Sequence, residues 1–400
     1  MAEGGLETAV PGRGELIRRA VDLVEPVAAR AEETERLRRL HPDTVEDLLD
    51  AGLWGVHRPF RYDGSEGDFG LIVDIGEQLG RACTSTAWVW VNLVSHNWML
   101  GMWPERAQDA VWGSNPDARI GSATIYPPGR VVRVDGGYLL SGRWPFSSGI
   151  EVSDWVMLGG MMPPEDGEGP PRPCIFVVAC KDIEVIDTWD VVGLVGTGSH
   201  DVACADVFVP DYMALSPHDM RGAPTPGSAV NPASLYRLPL LGMFSHILAG
   251  AMLGAARGAF DHYTESMRSR VATFNRQRIG DHAAVQLRIA EAAATIRATR
   301  QQLRDGPREA HAIAEAGRIP TDLEKTSWRS DAAYACRKCA DVVDLLYQAS
   351  GGAGNYRSNP IQRFFRDVRA GVTHIGVSWD ANGAEHGRAL LGLPHGNFLL

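Results

Sequence analysis

The sequence predicts an α+β fold in three successive parts: an N-terminal helical domain over 1–117, a middle β-barrel or sandwich domain over 118–216, and a C-terminal four-helix bundle over 217–400. Three observations carry this reading. Apolar residues recur at three-to-four spacing in the first part, short β-type runs separated by Pro, Gly and Asp fill the second, and helical spacing returns in the third. With 400 residues and 44% hydrophobic composition, the chain can bury a large core.

The first helix is expected from Glu15 to about Arg39, where Leu16, Ala20, Val21, Val24, Val27, Ala28 and Ala31 share one face. A second helical run follows Pro42 and Asp43, and apolar helical runs span Gly70 to Gly80 and Thr84 to Trp103. The character changes near Arg119. Val131, Val132 and Val134, then Asp135-Gly136-Gly137, then Tyr138, Leu139 and Leu140 read as a hairpin. Further strand-like runs lie at Val156–Leu158, Cys174–Ala179, Ile183–Ile186 and Val202–Val209. After the Pro-, Gly- and Ser-rich stretch 221–232, Ile247, Leu248, Ala251, Met252, Ala255 and Ala259 resume helical spacing. Thr321 with Glu324 forms a capping-box pattern, and Pro360 after Asn359 fits a helix start.

Composition narrows the function. A net charge of -10, with 49 acidic and 39 basic residues and no long basic run, argues against a nucleic-acid partner. The first fifteen residues lack an apolar leader, and no window approaches eighteen uninterrupted apolar residues, so a cytoplasmic protein without a membrane segment is expected. The six cysteines form no dense framework. Cys336 and Cys339 have CxxC spacing within a helical pattern and read as packing residues, and no motif implies a metal. No GxGxxG fingerprint is present, since the GTGSHD run has Asp201 where the third glycine would fall, so nicotinamide is not expected to bind.

The motif SGRWPFSSGIEVSDW (Ser141 to Trp155) resembles the acyl-CoA dehydrogenase superfamily. GLVGTGSHDVACADVFVP (Gly193 to Pro210), RVATF (Arg270 to Phe274), YQASGG (Tyr347 to Gly352) and RFFRDV (Arg363 to Val368) occur in the matching order. Dehydrogenases of that superfamily need a glutamate base eight positions after the Asp of the Arg-Asp motif. Here that position is Ile375, and the alternative site near Phe244 has no carboxylate close in sequence. SSG in place of Thr-Asn-Gly, with His374 just before Ile375, resembles instead the two-component (group D) flavin-dependent monooxygenases, the branch of p-hydroxyphenylacetate hydroxylase oxygenase and related phenol, steroid-ring and aromatic-polyketide hydroxylases.

The resemblance implies an oxygenase component that takes reduced flavin (FADH2 or FMNH2) from a separate NAD(P)H:flavin reductase. With O2 it would form a C4a-hydroperoxide and hydroxylate a small phenolic or polycyclic aromatic substrate. It implies that His96 and Ser122 hold the substrate phenol, that Ser148 faces flavin N5, and that His374 lies beside the flavin ring. Trp144, Phe146, Ser147, Arg270 and Phe274 join the implied cofactor contacts, and Gln348, Gly351 and Gly352 would reach the flavin of a neighbouring subunit in a homotetramer. The chemistry is coherent. A hydroxyl at N5 and an imidazole near C4a shelter the peroxide, while a base near a phenol of pKa ~10 supplies the phenolate character that the attack requires.

Each residue also has a plainer reading: Ser148 as a turn serine, His96 as a packed helix histidine, Arg270 as a surface arginine and Gly351 as a helix cap. Competing functions are a flavin N- or S-oxygenase, an acyl-CoA dehydrogenase-type oxidoreductase, and a non-catalytic binding protein that kept the fold.

Overall fold

The computed structural model describes residues 10–164, 169–271, 276–394 and 396. Seven helices come first: α1 (Arg13–Asp22), α2 (Val24–Ala29), α3 (Ala31–Leu37), α4 (Pro42–Asp50), α5 (Leu71–Ala82), α6 (Thr84–Leu100) and α7 (Glu105–Trp112). The single first helix expected from periodicity is therefore three short ones. Pro26 accounts for the first break, because it has no N–H to give the Asp22 carbonyl and its ring clashes there.

Eight strands follow: β1 (Ile120–Ala123), β2 (Arg130–Val134), β3 (Gly137–Ser147), β4 (Trp155–Met162), β5 (Arg172–Ala179), β6 (Glu184–Ile186), β7 (His200–Pro210) and β8 (Ala214–Leu215). They form one mixed sheet in the order β6-β7-β3-β2-β4-β5-β8, with β1 pairing parallel to β4. The β2–β3 hairpin pairs Val134 with Gly137, and Gly136 takes the turn at φ +73°.

The chain ends in α8 (Leu240–Ser269), α9 (Ala283–Glu315), α10 (Asp322–Ala349), α11 (Pro360–Gly371) and α12 (Trp379–Leu390). The Thr321/Glu324 capping box and the Asn359 cap ahead of Pro360 are both formed. By length and composition α8 could cross a bilayer, yet α5, α6, α9, α10 and α11 pack around it as a core helix. One continuous core links all three parts and includes Trp90, Trp98, Trp144, Phe176, Leu253 and Trp328. Burial of a side chain such as Phe176 or Leu253 contributes ~1.5–3 kcal/mol. Cys336 and Cys339 lie buried inside α10.

Candidate functional site

Helix α6 touches α5, α8 and β1, and every residue of it is buried except Asn92. An all-round apolar helix belongs at the centre of a protein, so the single half-open position marks where packing is relieved. Trp88, Asn92 and His96 sit at i, i+4 and i+8 and share one face of α6. The Asn92 amide is fixed by donating to the Trp88 carbonyl at 2.7 Å.

His96 is 4% exposed, and its Nδ1 lies 2.6 Å from the carbonyl of Ile120 on β1. A carbonyl only accepts, so Nδ1 carries the proton. Burial pushes the imidazole pKa down to about 4, so the ring is neutral at pH 7. Nε2 is then a bare lone pair, with no protein partner among the described residues. Ser122 stands two residues beyond Ile120 on β1 and is half-buried.

Ser148 follows directly on a distorted stretch of β3. The β3–β7 register slips between Trp144 and Ser147, and Phe146 takes φ +66° there, uncommon for a bulky residue. Gly149 turns the chain at φ +71°, and a Cβ there would lie 2.5 Å from Val89 on α6. That close approach brings Ser148 against α6. The Trp88 indole Nε1–H donates to Ser148 Oγ at 3.2 Å, and Ser148 Oγ lies 2.7 Å from Ser199 Oγ. Ser199 Oγ is 2.7 Å from Thr197 Oγ1, which donates to the Leu194 carbonyl at 2.8 Å.

Trp88 also meets His374, edge to face, at 5.8 Å between ring centroids, and Phe244 of α8 stands 6.0 Å from the same imidazole. The Gly376 amide donates to His374 Nδ1 at 3.0 Å. Burial holds this pKa at about 4 as well, so His374 is neutral with its proton on Nε2. Trp88, Ser148, His374 and Phe244 therefore form one cluster, with His96 two helical turns further along α6.

The other expected contacts are distributed differently. Trp144 is fully buried and its indole donates to the Gly159 carbonyl at 2.7 Å, which makes it a β-domain core residue because its position on β3 points inward. Ser147 is likewise sealed, and its hydroxyl has no partner among the described residues, so open space reaches Ser148 and not Ser147. Phe146 is 61% exposed and meets Trp189 edge to face. Arg270 caps α8 and donates to the Ser350 carbonyl at 3.1 Å, beside exposed Gln348, Gly351 and Gly352. That group is at the far end of α8 from Phe244, 26 residues or roughly 39 Å away at 1.5 Å per residue. Phe274 lies outside the described residues.

Sequence reasoning gives Trp88 only a general place in a tryptophan-rich run that packs the core or lines a flat ring pocket, and misses the parts played by Asn92, Thr197 and Ser199. The i, i+4, i+8 spacing back from His96 was the available signal for Trp88 and Asn92. The GTGSHD run enters as part of the Gly193 to Pro210 resemblance and as a failed dinucleotide loop, with no role for either of its hydroxyls.

Residues 15–112 match the acyl-CoA dehydrogenase N-terminal domain and residues 246–379 its C-terminal domain. The FADH(2)-dependent resorcinol hydroxylase oxygenase component of Rhizobium sp. (strain MTP-10005) is 34% identical over 394 residues, 96% of each chain. The crystal structure of 3-HSA hydroxylase from Rhodococcus sp. RHA1 superposes with a TM-score of 0.91 at 32% identity, covering 96% of this chain and 99% of that one. XiaF from Streptomyces sp., solved with FADH2 and glycerol, gives a TM-score of 0.87 at 28% identity, covering 96% and 97%.

Proposed function

This chain belongs to the acyl-CoA dehydrogenase family, in its branch of two-component flavin-dependent monooxygenases, and on that premise we propose that it hydroxylates a phenolic ring bound between His96 and the Ser148–His374 cluster. Reduced flavin, supplied by a separate reductase, activates O2 when bound. The residues of the cluster suit a flavin ring: Trp88 and Phe244 offer apolar faces, Ser148 offers a hydroxyl oxygen, and His374 offers an Nε2–H. Ile375 and Phe244, at the two positions where the superfamily's dehydrogenases carry the glutamate, have no group that takes a proton, which disfavours α,β-dehydrogenation.

The observation that carries the reading is the neutral His96, with its proton committed to Ile120 and its Nε2 lone pair uncommitted. A phenolic O–H would donate to that lone pair, and Ser122 would steady the same oxygen. With the imidazole near 4 and a phenol at ~10, full proton transfer is uphill by ~6 units, or ~8 kcal/mol. His96 therefore shares the phenolic proton in the ground state, raising electron density on the ring without generating free phenolate.

Arg270 at the C-terminal end of α8, with Gln348, Gly351 and Gly352 beside it at the end of α10, lies too far from Phe244 to hold the flavin whose ring meets His374 of the same chain. Their place in the reading is therefore the flavin of a neighbouring copy, in a homotetramer. The six free cysteines favour a cytoplasmic setting.

The test supplies chemically reduced FAD or FMN, 18O-labelled O2 and a panel of phenols and polycyclic aromatics, and compares the parent protein with Ser148→Ala. The expected outcome is a ring product carrying one labelled oxygen, with no NAD(P)H turnover until a reductase is added. Ser148→Ala should divert most of the flavin oxidation to H2O2. Absence of any oxygenated product across the panel would remove the reading.

A further inference from the structure

The hydroxyl chain at Ser148 has a direction. One end is the Trp88 indole N–H, which can only donate; the other is the Leu194 carbonyl, which can only accept. Each hydroxyl between them has one proton. Thr197 gives its proton to Leu194 and so must accept from Ser199, and Ser199, its proton spent, must accept from Ser148. Ser148 thus donates inward and keeps one lone pair beyond the one that Trp88 occupies.

The chain is anchored as well as directed. Thr197 and Ser199 are buried, so water does not offer them other partners. The Leu194 amide donates to Asp367 Oδ1 of α11 at 2.7 Å, and any side chain at Gly193 would meet the Arg366 carbonyl at 2.2 Å, so the loop is seated tightly on α11. The Gly149 amide donates to the Thr197 carbonyl at 2.9 Å, tying the Ser148 turn to the same loop.

We propose that Thr197 and Ser199 are positioning residues that hold Ser148 as a hydrogen-bond acceptor toward the flavin edge, so that the site selects reduced over oxidised flavin. This rests on the flavin reading above. The two redox forms differ at N5: reduced flavin carries N5–H, a donor, and oxidised flavin presents a bare lone pair there. An acceptor-only Ser148 rewards the first and meets the second lone pair to lone pair. The oxygenase would thereby take up the form it uses and let go of the form it produces.

The experiment is anaerobic equilibrium titration of the full chain with FAD and with FMN, each oxidised and dithionite-reduced, which needs no turnover. In Ser199→Ala the Ser148 proton loses its acceptor and can swing out to oxidised N5. In Thr197→Val the Ser199 proton loses its acceptor and can turn back on Ser148, with the same result. Both variants should shrink the ratio of oxidised to reduced Kd by about tenfold, the weight of one hydrogen bond. Thr197→Ser, which keeps the hydroxyl, should preserve the parent ratio. If Ser199→Ala does not fold, the Thr197 pair decides alone. Unchanged ratios in Thr197→Val and Ser199→Ala, with the parent still preferring reduced flavin, would overturn the proposal and leave the monooxygenase reading standing. A parent protein that binds neither form would overturn both.

Discussion

His96 and His374 are held neutral by the same cause and equipped for opposite tasks. Burial lowers both imidazoles to about 4. The difference lies in what meets Nδ1: a carbonyl at His96, which leaves Nε2 an acceptor, and an amide N–H at His374, which leaves Nε2 a donor. One site is therefore suited to draw a proton from a phenol and the other to hydrogen-bond an oxygen near the flavin. A pKa alone does not identify a histidine's role; the partner of its second nitrogen does.

Separating the two histidines by mutation gives the largest expected effects. His96→Asn should reduce hydroxylated product at pH 7 on the order of a hundredfold, with H2O2 taking its place and partial recovery at high pH as the phenol ionises unaided. Its reaction of bound reduced flavin with O2 should be unchanged when substrate is absent. His374→Phe should alter that substrate-free reaction. Stopped-flow absorbance with product quantification checks both. Equal behaviour of the two variants would mean that the acceptor and donor sites are not distinct.

Much of this was legible in the sequence, for definable reasons. Period and turn chemistry place the helices, the Asp135-Gly136 hairpin and the Thr321 cap because those signals are local. The break at Pro26 is a local signal too, but the apolar face continues through it and masks it. The roles of His96, Ser148 and His374 came through resemblance, not spacing, and their tautomers could not have been read at all. The Ile120 carbonyl and Gly376 amide are backbone groups, and no residue type announces them. The same holds for Phe146, whose left-handed backbone arises from a register slip between β3 and β7.

The pH dependence of stability sharpens the comparison by asking what neutrality costs. His57 and His246 share the value of about 4 with His96 and His374. Between about 6.5 and 4 the unfolded chain binds protons at these positions while the folded one does not, so their contribution is complete above about 6.5 and is lost as pH falls to 4. Asp367, raised to about 6 by burial, acts with opposite sign over part of that window, being stabilising when protonated and losing that contribution as pH rises through 6. With His218 and His311 also lowered by burial and Glu66 and Asp331 also raised by it, six imidazoles stand against three carboxyls and give a net loss of stability on acidification, to be read from denaturant midpoints between pH 8 and 4.5. A smaller effect isolates neutrality without function. His246 is fully buried, and neither ring nitrogen has a partner among the described residues. His246→Leu should raise stability by ~1 kcal/mol at pH 7, flatten the acid slope and leave hydroxylation unchanged.

The most direct test of the account is the protonation state of the two ring systems, read by long-range 1H–15N correlation on protein labelled at histidine and assigned with His96→Asn and His374→Phe. At pH 7 both rings are expected to be neutral, His96 protonated at Nδ1 and His374 at Nε2, and both remain neutral at pH 5.5. Two rings of the same tautomer, or an imidazolium at either position at pH 7, would contradict it.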